Sequence, residues 1–495
     1  MLATLLSLLG LGRPAAFPTV TSDDIYPLHL MDSTADVLEH TPLVLMRFND
    51  VLDADKLHAA LAKLLSTGDW RKMTGRLRRN GAGELELHVP RVFTPERPAV
   101  RYSHVAFDVD ICEHPLGKQL PSATPKISMQ HSGNRFPEFC FEPGTAGSMA
   151  DYLNGDQPPV ALRITSFRDA TLVAVSWSHG LSDAIGFRDM ISAWCQVLAS
   201  RESEVPPVLG AYKDTALEIL EDEAPGREPY IWQSKILSGF GFFWFALRFV
   251  WQVLRHREVG ARTLFVPAIA IAQLRKEASA DLPEGSFVSD GDVLCSWLLR
   301  LAVSANQWSG AVTFLNVVDL RSRVPSVFDK AGVYLQNLSA LSLTFLNASA
   351  IFRDPLGSVA TAIRQSVAAQ ATEAQARAVY RLAIPLVKRN KRAPLISDAD
   401  ADLFIVTNWS KAKFIELVDF SPAVIRQGQG EFERNNPVGT MVYQLASQVK
   451  QAYMIRNMAV IIAKDRSGNY WVNLYMAEAV FGRIAEYVAR YGDSS

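Results

Sequence analysis

The chain has almost no charge bias: 50 Lys and Arg stand against 51 Asp and Glu over 495 residues, a formal net charge of -1. Without a long basic block, nucleic acid is not an expected partner. Cysteine is scarce as well. Cys112, Cys140, Cys195 and Cys295 are scattered singly, without the C-x-x-C pairs of zinc or redox sites and without the density of a disulfide scaffold, which fits a reducing, cytoplasmic compartment. No H-E-x-x-H, P-loop or dinucleotide glycine fingerprint occurs, so metal-dependent hydrolysis, nucleotide hydrolysis and hydride transfer lose their usual signatures, and no metal is expected. No repeat period is visible. Met1 to Gly12 is apolar but too short to cross a bilayer and has no basic residue ahead of it; a cleaved signal peptide is the competing use. Asn337, Asn347 and Asn408 begin N-x-S sequons, which matter only in a secreted chain and are read as coincidence.

What the chain does have is length and apolar residues. At 495 residues with 48% hydrophobic content it exceeds one ordinary core, so two domains are expected. The division runs as a tail over 1–25, a first domain over 26–207, a crossover over 208–258 carrying prolines and acidic residues, and a second domain over 259–495. Ala54 to Leu65, Ile269 to Ala278, Asp290 to Ala305 and Gly357 to Ala374 read as helices. Thr263 to Val266, Val312 to Val318, Leu341 to Leu346, Leu403 to Val406 and Met458 to Ala463 read as strands. Strands interspersed with helices in both halves point to an α/β class with mixed α+β layers. Within the crossover, Ile236 to Leu254 is unusually aromatic, interrupted among strongly polar types only by Arg248 and Gln252 and followed by Arg255, His256 and Arg257. Two glycines and the internal Arg argue against a spanning helix and for one that docks on the second domain or makes peripheral membrane contact through 236–254.

The candidate chemistry lies in Thr171 to Phe187, TLVAVSWSHGLSDAIGF. Leu172 to Trp177 is short, uncharged and valine-rich, as a strand buried on both faces should be. Phe187, Met190, Ile191, Trp194 and Leu198 then form one helical stripe. His179 and Asp183 therefore occupy a strand-to-helix loop, with Gly180 and Gly186 beside them as residues that tolerate unusual backbone angles. The same H-x-x-x-D spacing recurs at His104 and Asp108, where surrounding charges indicate a half-exposed strand, so that match is read as accidental. Two readings of the first pair stay open on local sequence. His179 is a general base, or it is a core histidine with Asp183 capping the next helix.

Segments in order along residues 26 to 425 resemble the BAHD acyltransferases, and the Ala184-Ile-Gly186 variant is similar to that family's fungal, trichothecene 3-O-acetyltransferase-like branch. His179-Gly-Leu-Ser-Asp183 matches the family's H-x-x-x-D signature, and Pro27 to Asp32 resembles its early L-S-x-x-D segment. Ser289 to Arg300 resembles the helix that opens its second half. Val318 to Arg323 with Tyr334-Leu-Gln-Asn337 is similar to its V-D-x-R-x-R and Y-F-G-N pair. Thr407-Asn-Trp409, with Asp419-Phe-Ser421, resembles its T-S-W and D-F-G-W-G elements. Ser421 departs from the first glycine of D-F-G, and Leu335-Gln336 replaces F-G.

The resemblance implies two chloramphenicol-acetyltransferase-like domains with the active site in a channel between them. It implies an acyl-CoA co-substrate, acetyl-CoA foremost, and a small-molecule alcohol acceptor, a hydrophobic secondary metabolite, handled by a monomer. His179 would be the general base. Asp183 would support the loop by pairing with an arginine, for which Arg321 is the candidate, and Asp419 would be structural. Thr407 and Trp409 would supply hydroxyl and indole donors to the developing oxyanion. An N-acyltransferase, a condensation-domain-like enzyme and a catalytically silent binding protein of the same fold are the rival readings. The condensation domains normally carry two adjacent histidines, and Ser178 occupies the first position here.

Overall fold

Two mixed sheets organise the chain, each covered by helices, in a computed structural model that describes residues 17–220, 228–280, 282, 285–428, 434–450 and 456–493. The apolar stretch Met1 to Gly12 and part of the acidic crossover lie outside those residues. The first sheet runs, in spatial order, Tyr443–Gln448, Pro42–Phe48, Thr171–Trp177, Val160–Ser166, Arg101–Ala106. The second runs Ser339–Asn347, Ala311–Asp319, Asp402–Asn408, Met458–Lys464, Tyr470–Ala477, Val259–Val266, Ser128–His131. Parallel and antiparallel neighbours occur in both, so the mixed α/β class read from the sequence is the class observed.

Two strands cross between the halves of the chain. Ser128–His131, from the first half, pairs with Val259–Val266 in the second sheet, and Tyr443–Gln448, from the second half, pairs with Pro42–Phe48 in the first. Each half thus adds an edge strand to the other's sheet and ties the two halves by backbone hydrogen bonds. Local pattern carries no information about such distant pairing.

Helix placement follows amphipathicity. Ala54–Leu64 buries Leu57, Leu61 and Leu64 and is capped by the Asp53 side chain on the Lys56 N–H. Asp290–Asn306 starts with a reciprocal Ser289/Asp292 capping box and buries a broad apolar surface centred on Trp297. The expected helix from Gly357 to Ala374 is two helices, Leu356–Gln370 and Glu373–Asn390, because Thr372 caps the second by accepting from the Gln375 N–H.

Candidate active site

The strand Thr171–Trp177 is buried at every position and lies between Pro42–Phe48 and Val160–Ser166, antiparallel to both. An all-apolar run suits that central place because neither face meets water. Beyond it, the Trp177 indole donates to the Ser182 carbonyl at 3.0 Å and stacks on Phe187 with ring centroids 3.8 Å apart. The exit loop is thereby folded back onto the helix Ala184–Leu198.

His179 sits at the turn of this loop, half-buried. Its N–H donates to the His40 carbonyl at 3.0 Å, and its own carbonyl accepts from the Asn337 amide at 2.8 Å. The backbone is therefore pinned from both directions. In the ring, Nδ1 is buried without a hydrogen-bond partner of ordinary geometry. Nε2 makes no hydrogen bond and is not among the buried unpartnered atoms, so it is the ring nitrogen left in contact with solvent. Burial pushes the imidazole pKa below its usual 6.5, against smaller opposing effects of its own carbonyl and the Asp183 carboxylate. The ring is consequently neutral at pH 7, as an acceptor of protons must be.

The Asp183 carboxylate makes no hydrogen bond to that ring among the described residues. One carboxylate oxygen accepts from the Ile185 and Gly186 N–H groups at 3.1 and 3.0 Å, and so caps the helix. Arg321 donates to both oxygens at 3.0 Å, and the Leu338 N–H adds a further bond at 3.0 Å. The helix cap open on local sequence and the arginine pair implied by the resemblance are both present in one carboxylate. Arg321 also donates to Asp319 at 2.6 Å and to the carbonyls of Tyr334 and Gln336. Burial alone would lower its pKa, but the two carboxylates outweigh that and raise it.

Asn337 is the second tie between the halves. It is buried, and its backbone N–H and side-chain amide both donate to Asp32, at 2.7 and 2.8 Å, while the amide also holds the His179 carbonyl. A buried, fully engaged amide cannot carry a glycan, so its sequon is indeed coincidental. Asp32 is itself buried, which raises its pKa despite the Asn337 bonds and the nearby Lys72 ammonium. In the sequence Asp32 stands out only as the last letter of a motif, and Asn337 only as a motif letter and a sequon. Nothing there marks His40, whose imidazole is driven down to about 4 by burial and by its neighbour His179.

The two glycines of the loop matter for a reason other than the one expected. Neither has a positive φ. A Cβ on Gly180 would meet the Leu38 side chain at 2.7 Å, and one on Gly186 would lie 2.6 Å from the Leu335 carbonyl oxygen. The backbone of the second half therefore presses directly on the helix that follows His179. Gly186→Ala is expected to cost about 1–3 kcal/mol by overpacking, read as a lowered Tm in thermal unfolding, because rigid backbone has to move.

Thr407 lies near the end of the strand Asp402–Asn408, which runs parallel to both neighbours, and Trp409 directly follows it. The Trp409 indole N–H donates to the Thr407 hydroxyl oxygen at 3.2 Å. The indole proton is thereby engaged, and the Thr407 O–H is the donor left to give. No hydrogen bond joins either residue to His179 among the described residues. The connection is aromatic: Trp409 to Phe414, Phe414 to Phe187 and Phe187 to Trp177, with centroids 6.5, 5.8 and 3.8 Å apart. Asp419 accepts from the Ser421 N–H at 2.9 Å and is exposed, a local turn away from the other residues. His104 is exposed and contacts Ser166, apart from the strand exit.

No protein-family model matches the chain. It is 35% identical over 486 residues to O-acetyltransferase PaAT-2 of Phomopsis amygdali, spanning 94% of this chain and 98% of that one. In fold it is similar to TRI101 of F. sporotrichioides, solved with coenzyme A and T-2, at a TM-score of 0.64 and 15% identity over 93% of this chain and 97% of that chain. Vinorine synthase superposes with a TM-score of 0.56 and 15% identity over 97% and 96% of the two chains.

Proposed function

From the premise that the chain belongs to the BAHD acyltransferases and is an acyltransferase, we propose that it moves an acyl group, acetyl foremost, from acyl-CoA to a hydroxyl of a small hydrophobic secondary metabolite. The observation that carries this reading is the posture of His179. Its backbone is clamped by His40 and Asn337, its Nε2 is open, and Asp183 is fully occupied elsewhere.

As the acceptor oxygen attacks the thioester carbonyl, His179 Nε2 takes the hydroxyl proton. The tetrahedral oxyanion accepts a hydrogen bond from the Thr407 O–H, whose oxygen is polarised by the Trp409 indole. Collapse breaks the carbon–sulfur bond, and the CoA thiolate recovers the proton from the imidazolium. Neutral histidine is suited to both transfers, and such a step contributes about 10²- to 10⁴-fold in rate. The names of the relatives, an O-acetyltransferase and a CoA complex, support the oxygen acceptor and the CoA donor. Ser178, standing before His179, lacks the imidazole that the condensation-type rival would place there.

The test is purified protein with acetyl-CoA and longer acyl-CoAs against matched panels of hydrophobic alcohols and amines, followed by free thiol release and product mass. Ester formation with acetyl-CoA supports the proposal; amide products alone, or no acceptor-dependent thiol release, reject it. Thr407→Val keeps the side-chain shape while removing the last free donor, and should lower kcat by about 10²- to 10³-fold with KM little changed, as loss of one oxyanion donor does. Trp409→Phe, which removes the polarising N–H and part of the ring surface against Phe414 but keeps the Thr407 hydroxyl, should cost less in kcat.

A further inference from the structure

The helix Gly239–Arg255 is built inside out. None of its residues is buried, yet Phe240, Phe243, Trp244, Leu247, Trp251 and Leu254 recur at helical spacing and are all exposed, Phe240 to 80% and Trp251 to 64%. Its polar residues point the other way. Arg248 donates to the Ala401 carbonyl at 3.3 Å and lies 3.6 Å from the Asp402 carboxylate, and Gln252 donates to the same carboxylate at 2.7 Å. A surface helix normally turns its apolar stripe to the core and its polar face to water. Here hydrogen bonds attach the polar face to the edge of the second domain, and the aromatic face is presented outward as a contiguous patch of the sort that marks an interaction surface.

Charge identifies the partner. From Pro229 through Arg257 there is no Asp or Glu, in a chain that has 51 of them. Lys235 and Arg248 are paired with Asp398 and Asp402. Arg255 and Arg257, at the end of the helix, are exposed and make no ion pair among the described residues. We propose that this helix lies flat on a lipid bilayer containing anionic lipid, its Phe and Trp side chains in the acyl-headgroup boundary and Arg255 and Arg257 on the headgroups. Seventeen residues extend about 25 Å, and no described helix is long and apolar enough to cross a membrane. Aromatic side chains suit that boundary, and basic residues add attraction to anionic lipid. A second copy would present the same face, which holds no acidic residue from Pro229 through Arg257, and the segment before Phe17 carries only another positive side chain, Arg13. Neither offers the negative charge that a lipid surface does.

The test is flotation of the full chain with vesicles of phosphatidylcholine alone and of phosphatidylcholine with phosphatidylserine. The wild type should float, more strongly with phosphatidylserine. The variant Phe240→Ser/Phe243→Ser/Trp244→Ser/Trp251→Ser should lose at least about tenfold in partitioning, a change of 1.4 kcal/mol. Arg255→Glu/Arg257→Glu should lose the preference for phosphatidylserine. Both variants change exposed positions, so unchanged Tm and unchanged turnover of a water-soluble acceptor show that fold and site are intact. A wild type that ignores both vesicles overturns the proposal. So does a lipid-free dimer that the serine variant makes monomeric while the wild type ignores vesicles, or flotation that appears only after residues 1–16 are deleted.

Discussion

Replacing His179 with alanine is expected to lower kcat by about 10²- to 10⁴-fold while leaving the unfolding midpoint nearly unchanged. The two effects separate because the bonds that fix this residue are backbone bonds, to His40 and Asn337, which alanine keeps. The imidazole itself makes no hydrogen bond of ordinary geometry. A variant that unfolds, or one that retains full turnover, would remove His179 from the chemistry. The wild-type pH profile gives a second check. Only the neutral ring accepts a proton, so kcat/KM should rise with pH through the pKa of the folded enzyme and be level at neutrality. Burial holds that pKa under 6.5, which puts the midpoint of the acid limb below 6.5.

The same depression has a consequence for stability. His29, His40 and His179 all have lowered pKa values in the fold, each mainly through burial. Below pH 6.5 the unfolded chain binds protons at these positions that the folded chain refuses, so stability must fall as pH falls from there toward 4. Urea midpoints measured across that interval should decrease with acidity.

Much of this site was legible because its strongest signals are local. The uncharged, valine-rich run before His179 announced a strand buried on both faces, and the stripe from Phe187 to Leu198 announced the helix after it. What was hidden is non-local. Tyr443–Gln448 lies beside Pro42–Phe48, and nothing in either segment names the other. His40 contributes a carbonyl, which every residue has. Gly186 is constrained by the Leu335 backbone, a neighbour known only from the fold. Arg248 and Gln252, one turn apart, look like the wet side of a helix when read alone, and only their bonds to Ala401 and Asp402 show that they face inward.

Removing Arg321 should damage the protein more than removing the partner it was matched to. Arg321→Met deprives two carboxylates at once, Asp183 and Asp319, of their cation. Breaking a buried pair in this way costs about 3–5 kcal/mol, because a charge is left without compensation. Asp183→Asn is milder. Arg321 retains Asp319 and the carbonyls of Tyr334 and Gln336, and the amide oxygen still caps the helix. The double variant should recover part of the loss, with a coupling of about 0.5–3 kcal/mol in a denaturation cycle. Kinetics then distinguish a positioning role from a catalytic one. Were Asp183 the orienting member of a triad, the asparagine variant would lose about 10⁴-fold in kcat. With its carboxylate engaged by Arg321, Leu338 and the helix N-terminus, the expected loss is well short of that. The acid limb should move to lower pH, because the distant negative charge raises the His179 pKa and its removal withdraws that support. An acid limb that moved upward, or a kcat as low as that of His179→Ala in a folded Asp183→Asn enzyme, would return the aspartate to the reaction itself.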